Sequence, residues 1–180
     1  MIDNTKAIIV FKQNNESLSA ANLSNAQELI NRQTETLNAI SEITAQKFIF
    51  YSDYIEREDV MEFDNWVKMP QYGNTFSAKL KDAFHIIKSG DYKKTVFINS
   101  LTQNLSASIL EDAFNRLDTN DVVLGVDSNN NCYLLGFTQF NSEFFNEKTW
   151  DLAPNPKDIE AEADKLGFSV SKLSQTPALV

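Results

Sequence analysis

The sequence predicts an α/β fold, namely a three-layer α/β/α sandwich built around a mostly parallel sheet. Short apolar runs alternate along the chain with longer segments that carry apolar residues at helical spacing, an order typical of this architecture. The apolar runs contain few polar residues, as in strands that are covered on both faces. The chain has 180 residues, of which 42% are hydrophobic, enough to build one core. We therefore expect residues 1–180 to form a single domain.

Three strands and two helices are predicted in the first half of the chain. The strands cover residues 7–11, 47–51 and 66–70. The helices cover residues 23–43 and 75–88 and carry apolar stripes at helical spacing, which begin at Leu23 and Phe76. His85, the only histidine, falls opposite the stripe of the second helix. We expect it to be exposed and to act neither as a base nor as a metal ligand.

Four strands and three helices are predicted in the second half of the chain, where the signals for helix starts are clearer. The strands cover residues 95–98, 121–126, 132–137 and 168–173. The helices cover residues 106–117, 142–145 and 156–166. Ser106 is placed to cap one helix, and Asn155 followed by Pro156 is a typical start for another. Two of the strands follow each other without a helix between them, so they predict an antiparallel element.

Charge and hydropathy narrow the class of partner. The formal net charge is −9, which disfavours nucleic acid, whose binding needs a basic face, and disfavours anionic lipid surfaces. No stretch approaches the ~20 apolar residues of a membrane span, and the first apolar run is too short for a signal peptide. We expect a cytoplasmic location, with no nucleic-acid or membrane partner. The sequence leaves the oligomeric state open.

The chain lacks the residues that several common catalytic and metal-binding sites require. The only cysteine is Cys132, so no internal disulfide or C-x-x-C pair can form, and a zinc site would lack its usual ligands. The chain contains no dinucleotide fingerprint, P-loop or nucleophile elbow. Serine or cysteine catalysis would depend on His85, which lies in mid-helix. Catalytic residues therefore stay unassigned.

An acidic run occupies residues 52–64 and has two interpretations. Clustered carboxylates bind hard cations, but such runs more often form a solvated surface loop or helix, which we favour here. The carboxylates are Asp53, Glu56, Glu58, Asp59, Glu62 and Asp64.

Polar residues follow three of the predicted strands, where open α/β sheets bind their ligands. Lys12 follows the first strand, Asn99 and Ser100 end the fourth, and Asp127 ends the fifth. Asn129, Asn130 and Asn131 continue the loop after Asp127. These residues are the candidates for ligand binding. Asp127 is the only carboxylate placed with any certainty for a magnesium or manganese ion, and no metal ligand is assigned.

A family resemblance is carried by the second half. The segment DVVLGVDSNNNCYLLGF, residues 121–137, followed by EFFNEKTW, residues 143–150, resembles a bacterial family of glycosyltransferase-A-like, nucleotide-diphospho-sugar-transferase-like domains of unassigned function. NSLTQNL at residues 99–105, Gln71, and FSAKLKDAF at residues 76–84 are similar to further segments of that family. The resemblance runs from about residue 7 to residue 173 and is most specific in the middle third. It implies the same three-layer fold and a nucleotide-sugar partner.

At several positions where the resemblance implies a ligand-binding residue, this chain has a different residue type. The family's strand-end aspartate, which anchors a metal-bound diphosphate, falls on Leu101. Its acidic, glycine-containing loop falls on residues 128–131, and its helix arginine is Lys79 here, which adds Lys79 to the ligand-binding candidates. The basic segment after the first strand has no counterpart. Leucine can neither hold a cation nor stabilise a leaving group, functions that transfer from a nucleotide diphosphate requires.

Three functional hypotheses follow. The first is a nucleotide-sugar transferase that uses a divalent cation, either magnesium or manganese. The second, which the exchanged ligands favour, is a transferase-like protein with weakened or lost metal-dependent transfer that binds a small ligand or a protein. The third is dimerisation through exposed aromatic residues between Phe144 and Trp150. A cleft closed by side chains at residues 99–101 and 127–131 would favour loss of transfer.

Overall fold

The fold is described here from a computed structural model, in which residues 3–21, 24–57, 59, 66–150 and 155–173 are described. The elements follow one another as β1 (Lys6–Lys12), α1 (Asn15–Ala20), α2 (Ala26–Ser41), β2 (Gln46–Tyr51), β3 (Trp66–Pro70), α3 (Phe76–Ile87), β4 (Lys94–Asn99), α4 (Ala107–Arg116), β5 (Val122–Val126), β6 (Cys132–Phe137), α5 (Glu147–Trp150), α6 (Pro156–Lys165) and β7 (Val170–Lys172). The predicted alternation of strands and helices is thereby confirmed.

The described strands form one sheet in the order β3-β2-β1-β4-β6-β5-β7. All neighbouring pairs are parallel except those of β6, which runs antiparallel to both β4 and β5. The antiparallel element predicted for the directly joined strands is therefore present. Because β5 is parallel to β4, the last residues of β1, β2, β4 and β5 lie at the same edge of the sheet. The loops that follow these strands meet there.

Two apolar clusters cover the two faces of the sheet and make the three layers. On one face, Ile8 and Val10 of β1 pack with residues of α2 and α4, such as Leu37 and Leu110. On the other face, Ile9 of β1 packs with residues of α3, α5 and α6. Alternate residues of each central strand therefore enter different clusters, which explains why these strands are continuously apolar in the sequence.

Side-chain caps fix three of the helix starts. The hydroxyl of Ser106 accepts the backbone N–H of Ile109, as predicted for this position. Thr75 caps α3 in the same way. Asn155 and Asp158 form a reciprocal capping box at α6, which satisfies donors that the first helical turn leaves unpaired. These caps explain why the starts of these helices were predicted to within one residue.

Other features differ from the predictions. The short helix lies at Glu147–Trp150 instead of residues 142–145, because Asn141 accepts the backbone N–H groups of Glu143 and Phe144 and holds that segment in a turn. Helix α1 was not predicted at all. Leu23, placed on the stripe of the long helix, lies outside the described residues.

The aromatic residues between Phe144 and Trp150, which the third hypothesis requires to be exposed, are buried. Phe144 is 2% exposed, Phe145 0% and Trp150 4%, and the indole N–H of Trp150 donates to the carbonyl of Phe144 at 2.7 Å. The hypothesis of dimerisation through exposed aromatic residues of this segment is therefore wrong. His85 is exposed, as predicted. None of the helices in the described part of the chain is long and apolar enough to cross a membrane.

Candidate ligand-binding cleft

Two adjoining cavities lie at the sheet edge where β1, β2, β4 and β5 end. The first has a volume of about 360 Å³ and is lined by the loops after β4 and β5. The second has a volume of about 440 Å³ and is lined by the end of β1 and the start of α3. They share Asn99, Leu101 and Cys132 as lining residues. We call the pair the cleft. The cleft is open and is not closed by side chains. Closure was the observation that would have favoured loss of glycosyl transfer.

The Asp127 carboxylate is engaged by its own loop. Its Oδ1 accepts the backbone N–H groups of Asn129 at 2.9 Å and Asn131 at 2.8 Å, and its Oδ2 accepts Asn131 Nδ2 at 3.2 Å. The backbone of Asp127 also pairs with that of Asn131. Asp127 thus closes the turn between β5 and β6, with its lone pairs directed at loop amides.

The turn itself requires two special residues. Asn130 has φ +62°, a left-handed conformation that asparagine tolerates better than most residues. At Gly125 a Cβ atom would lie 2.6 Å from the Tyr133 ring, so only glycine fits where the register between β5 and β6 shifts. Asp127, Asn129 and Asn131 line the cleft, whereas Asn130 is not among its lining residues.

The two residues predicted at the end of β4 have different environments. Asn99 is exposed and lines both cavities, and its Oδ1 accepts the backbone N–H of Leu101 at 2.9 Å. Its Nδ2 group has no partner among the described residues and can donate to a ligand. Ser100 is 4% exposed and donates to Oε1 of Gln33 in α2 at 3.0 Å. Its hydroxyl therefore holds the strand end against the helix.

Three phenylalanine rings form the floor of the larger cavity. Phe11 and Phe97 lie edge to face with ring centroids 5.1 Å apart, and Phe76 completes the group at 5.8 Å from Phe97. Phe76 is 37% exposed although its spacing placed it on the buried stripe of α3. Its ring lies at the first turn of the helix and covers the cavity instead of the core. Such a surface suits a flat ring or the apolar face of a sugar.

The described lining includes one cationic side chain in each cavity, Arg32 of α2 in the smaller and Lys79 of α3 in the larger. Arg32 also pairs with Glu28 one turn earlier in its helix. Within the described ranges, no cluster of three or more His, Cys, Asp or Glu side chains is arranged to hold a metal ion. The cleft is therefore lined mainly by amides and aromatic rings.

Lys12, also predicted as a ligand-binding residue, does not line the cleft. It follows Val10 by two positions and so lies on the α2 face of the sheet, where its ammonium contacts the Tyr51 ring at 5.4 Å. The ammonium forms an ion pair with Glu56 Oε2 at 2.5 Å, and the Lys12 side chain is only 3% exposed. The predicted residues that line the cleft are thus Asn99, Ser100, Asp127, Asn129, Asn131 and Lys79, whereas Lys12 is not among its lining residues.

Glu56 and Asp59 of the acidic run are partly buried and paired with lysines, so the interpretation of the run as solvated is wrong for these two residues. Glu56 is 12% exposed and pairs with Lys12, while Asp59 is 5% exposed and pairs with Lys68 at 2.6 Å. The hydroxyl of Tyr51 donates to Asp59, and burial with this carboxylate raises the tyrosine pKa. Glu58, Glu62 and Asp64 lie outside the described residues.

Cys132 lies between the two cavities with a poorly reactive thiol. Its Sγ donates to the carbonyl of Leu134 at 3.2 Å. Burial, with a contribution from the Asp127 charge, raises the pKa of the thiol from 9.0 to about 12. The thiolate, the reactive form, is therefore scarce at neutral pH.

We expect native Cys132 to react with iodoacetamide at least about tenfold more slowly at pH 8 than the same thiol in urea. Its raised pKa leaves less thiolate, and the greater nucleophilicity of a more basic thiolate offsets this loss only in part. The native rate should rise about tenfold per pH unit up to about pH 12, as long as the fold persists. Mass spectrometry of timed samples measures both rates. Native labelling within tenfold of the unfolded rate would contradict the burial of this thiol.

Sequence reasoning missed Arg32 and the aromatic floor. Arg32 lies on the polar side of a helix remote in sequence from the strand ends, and no spacing rule connects the two. Phe11 and Phe97 were assigned to buried strands, where apolar residues carry no separate signal for a ligand surface. Phe11 and Asn99 are neighbours in the β1–β4 register. This strand pairing brings the aromatic floor of the cavity close to the Asn99 side-chain amide.

The family assignment rests on sequence similarity. Residues 33–151 match the family DUF2064, described as an uncharacterized protein conserved in bacteria. The chain belongs to this family. The match spans α3, β4, the Asp127 loop and Trp150, which carry the most specific part of the resemblance noted above. No curated protein matches the chain by sequence.

Solved structures share the fold at low sequence identity. A protein of Desulfovibrio desulfuricans G20, provisionally assigned as a nucleotide-diphospho-sugar transferase, aligns with a TM-score of 0.75 and 18% identity over 96% of this chain and 80% of its own. The 4-diphosphocytidyl-2C-methyl-D-erythritol synthase of Anaerococcus prevotii gives 0.59 and 11% over 99% and 92%. These similarities confirm the nucleotide-diphospho-sugar-transferase-like fold.

A third similar structure contains ligands. The mannosyltransferase PcManGT of Pyrobaculum calidifontis, in complex with GDP-Man and Mn²⁺, aligns with a TM-score of 0.56 and 15% identity over 94% of this chain and 54% of its own. At such identities the likeness concerns the fold, and the chemistry of this chain has to be argued from its own cleft residues.

Proposed function

We propose that this chain is a nucleotide-diphospho-sugar-transferase-like protein that has lost metal-dependent glycosyl transfer and keeps the cleft as a binding site for a small polar ligand. The observation that carries the proposal is the Asp127 carboxylate. Both of its oxygens accept hydrogen bonds from the loop that it closes. A carboxylate that holds its own loop is poorly placed to hold a cation as well.

The cleft residues do not fit a divalent cation. Such ions take several oxygen ligands, of which carboxylates are the strongest. Leu101 also lines the cleft and supplies no oxygen from its side chain. Asparagine amides are neutral and would leave the charge of a metal-bound diphosphate poorly balanced. We therefore assign no step of a reaction to a metal in this cleft.

The remaining lining suits a ligand of the nucleotide-sugar class held through its uncharged groups. The Phe11, Phe76 and Phe97 rings offer a flat apolar surface, and Asn99 offers an unpaired amide donor. Lys79 can meet one negative charge, whereas Arg32 already pairs with Glu28. The ligand of PcManGT, GDP-Man, contains both a base and a sugar of this kind, which supports the choice of class.

The test is calorimetry with UDP-, GDP- and dTDP-glucose, each with and without manganese. We expect manganese to change no dissociation constant by more than about twofold, because the cleft offers the ion no free carboxylate. Any metal-independent binding should weaken about 5- to 100-fold in Phe76→Ala, the range that corresponds to loss of one stacking contact.

The matched variant is Leu101→Asp, which returns a carboxylate to the end of β4. Manganese-dependent binding in this variant alone would assign the loss of metal dependence to position 101. A tenfold or larger gain in affinity with manganese in the unchanged protein would overturn the proposal and support an active transferase.

A further inference from the structure

The Glu56 carboxylate, which follows β2, is enclosed by donors from the end of β1 and the start of α1. Oε2 lies 2.5 Å from Lys12 Nζ, and Oε1 accepts the backbone N–H of Asn15 at 2.9 Å and Asn14 Nδ2 at 3.2 Å. One ammonium and two N–H groups thus converge on one carboxylate. The Glu56 side chain is 12% exposed and the Lys12 side chain 3%.

The donors are held in place independently of Glu56. Asn14 is fully buried, and its Oδ1 accepts the backbone N–H of Asp53 at 2.9 Å and the Ser52 hydroxyl at 3.1 Å. Its Nδ2 also donates to the carbonyl of Tyr54 at 2.8 Å. The backbone carbonyl of Lys12 accepts the N–H of Ser52 at 2.9 Å. Removal of the Glu56 side chain would therefore leave the donors close to their present positions.

We propose that Lys12 Nζ, Asn14 Nδ2 and the Asn15 N–H form an oxyanion site that the chain fills with its own Glu56 carboxylate. A buried cation with adjacent N–H donors is the environment that binds carboxylate and phosphate oxygens in proteins. The site takes an external oxyanion once the internal one is withdrawn. Glu56 therefore acts as a built-in occupant that keeps other anions out.

The site is distinct from the ligand-binding cleft. Lys12 lies on the α2 face of the sheet, whereas the aromatic floor of the cleft lies on the α3 face, as the positions of Val10 and Phe11 in the two apolar clusters show. The proposal therefore does not depend on what the cleft binds. It goes beyond the proposed function because it concerns an anion and a residue that do not line the cleft.

The experiment measures the thermal unfolding of Glu56→Ala with rising sodium formate or inorganic phosphate, against potassium chloride of equal ionic strength. The alanine variant removes the carboxylate and leaves a space of about its size. At ten times the dissociation constant we expect either anion to raise the melting temperature of Glu56→Ala by about 3–5 °C more than that of the unchanged protein. The unchanged protein supplies the general salting effect of phosphate.

Two variants separate an oxyanion site from a general salt effect. Glu56→Gln keeps the shape and fills the space with a neutral amide, so its response should equal that of the unchanged protein. Lys12→Met combined with Glu56→Ala removes the cation and should abolish the extra stabilisation. An equal response in Glu56→Gln and Glu56→Ala, or a response that survives loss of Lys12, would overturn the proposal.

The oxyanion site can be tested even if Glu56→Ala does not fold. If Glu56→Ala is unfolded in potassium chloride, the site requires that formate or phosphate restore its far-ultraviolet circular dichroism. Recovery by either anion supports an oxyanion site, and the more effective anion identifies the preferred ligand. Failure of both anions to stabilise or refold Glu56→Ala would overturn the proposal.

Discussion

Lys12→Met should lower the free energy of unfolding by about 3–5 kcal/mol, the cost of removing one partner of a buried ion pair. The Glu56 carboxylate, 12% exposed, would keep its hydrogen bonds to Asn14 and Asn15 and lose its only cation among the described residues. Methionine fills a similar volume, so the loss would report the uncompensated charge and not a cavity. Urea unfolding monitored by tryptophan fluorescence measures the change.

The control is Lys165→Met, which removes an ion pair of similar length at the surface. Lys165 Nζ lies 2.6 Å from Glu162, but its side chain is 67% exposed, and exposed pairs contribute about 0–1 kcal/mol. Lys12→Met combined with Glu56→Leu should recover part of the loss, because apolar replacement of both partners is often neutral. A loss below about 1.5 kcal/mol in Lys12→Met would show that the pair is solvated.

Phe84→Ala should cost about 3–5 kcal/mol, the range measured for phenylalanine truncation in cores. Phe84 is 1% exposed and lies at the centre of an aromatic cluster between α3 and the sheet. Its ring centroid is 4.7 Å from that of Phe137 and 4.9 Å from that of Phe145. Truncation would leave a cavity that neighbouring rings cannot fill without leaving their own contacts.

Phe140→Ala provides the comparison within the same cluster. Phe140 lies 5.1 Å from Phe84 and stacks on Phe145, but it is 37% exposed. Solvent can fill the space that its ring leaves, so we expect a loss of about 1 kcal/mol. Equal losses for the two variants in urea unfolding would indicate that Phe84 is not the packing centre of this face.

The elements and their order were predictable because their signals are local. The continuous apolar runs at β1, β2 and β4 identify central strands, and Ser106 and Asn155 mark helix starts through hydrogen bonds within one turn. The short helix α1 and the turn at residues 142–145 were not predicted. The first N–H of α1 donates to Glu56, 41 positions away. The turn depends on the side chain of Asn141, whose choice of partner is weakly encoded in a local pattern.

The cleft was predicted in part. The loops after β4 and β5 were expected to meet at one edge of the sheet, and both line the cleft. Ligand binding by Asp127 stays a prediction, to which the structure adds that its carboxylate closes its own turn. These hydrogen bonds lie within the five residues 127–131. The only local signal for them was the asparagine at position 130, a residue type that tolerates the left-handed conformation found there.

The sequence by itself determined the fold class and the family, since both depend on residue types and short spacings. Only the tertiary structure decided which polar residues face the cleft and which satisfy one another. Lys12 and Glu56 are 44 positions apart, and no periodicity relates them. Their pairing exists because β1 and β2 are neighbours in the sheet, so the loops after these strands meet, and a buried charge must find its counterion there.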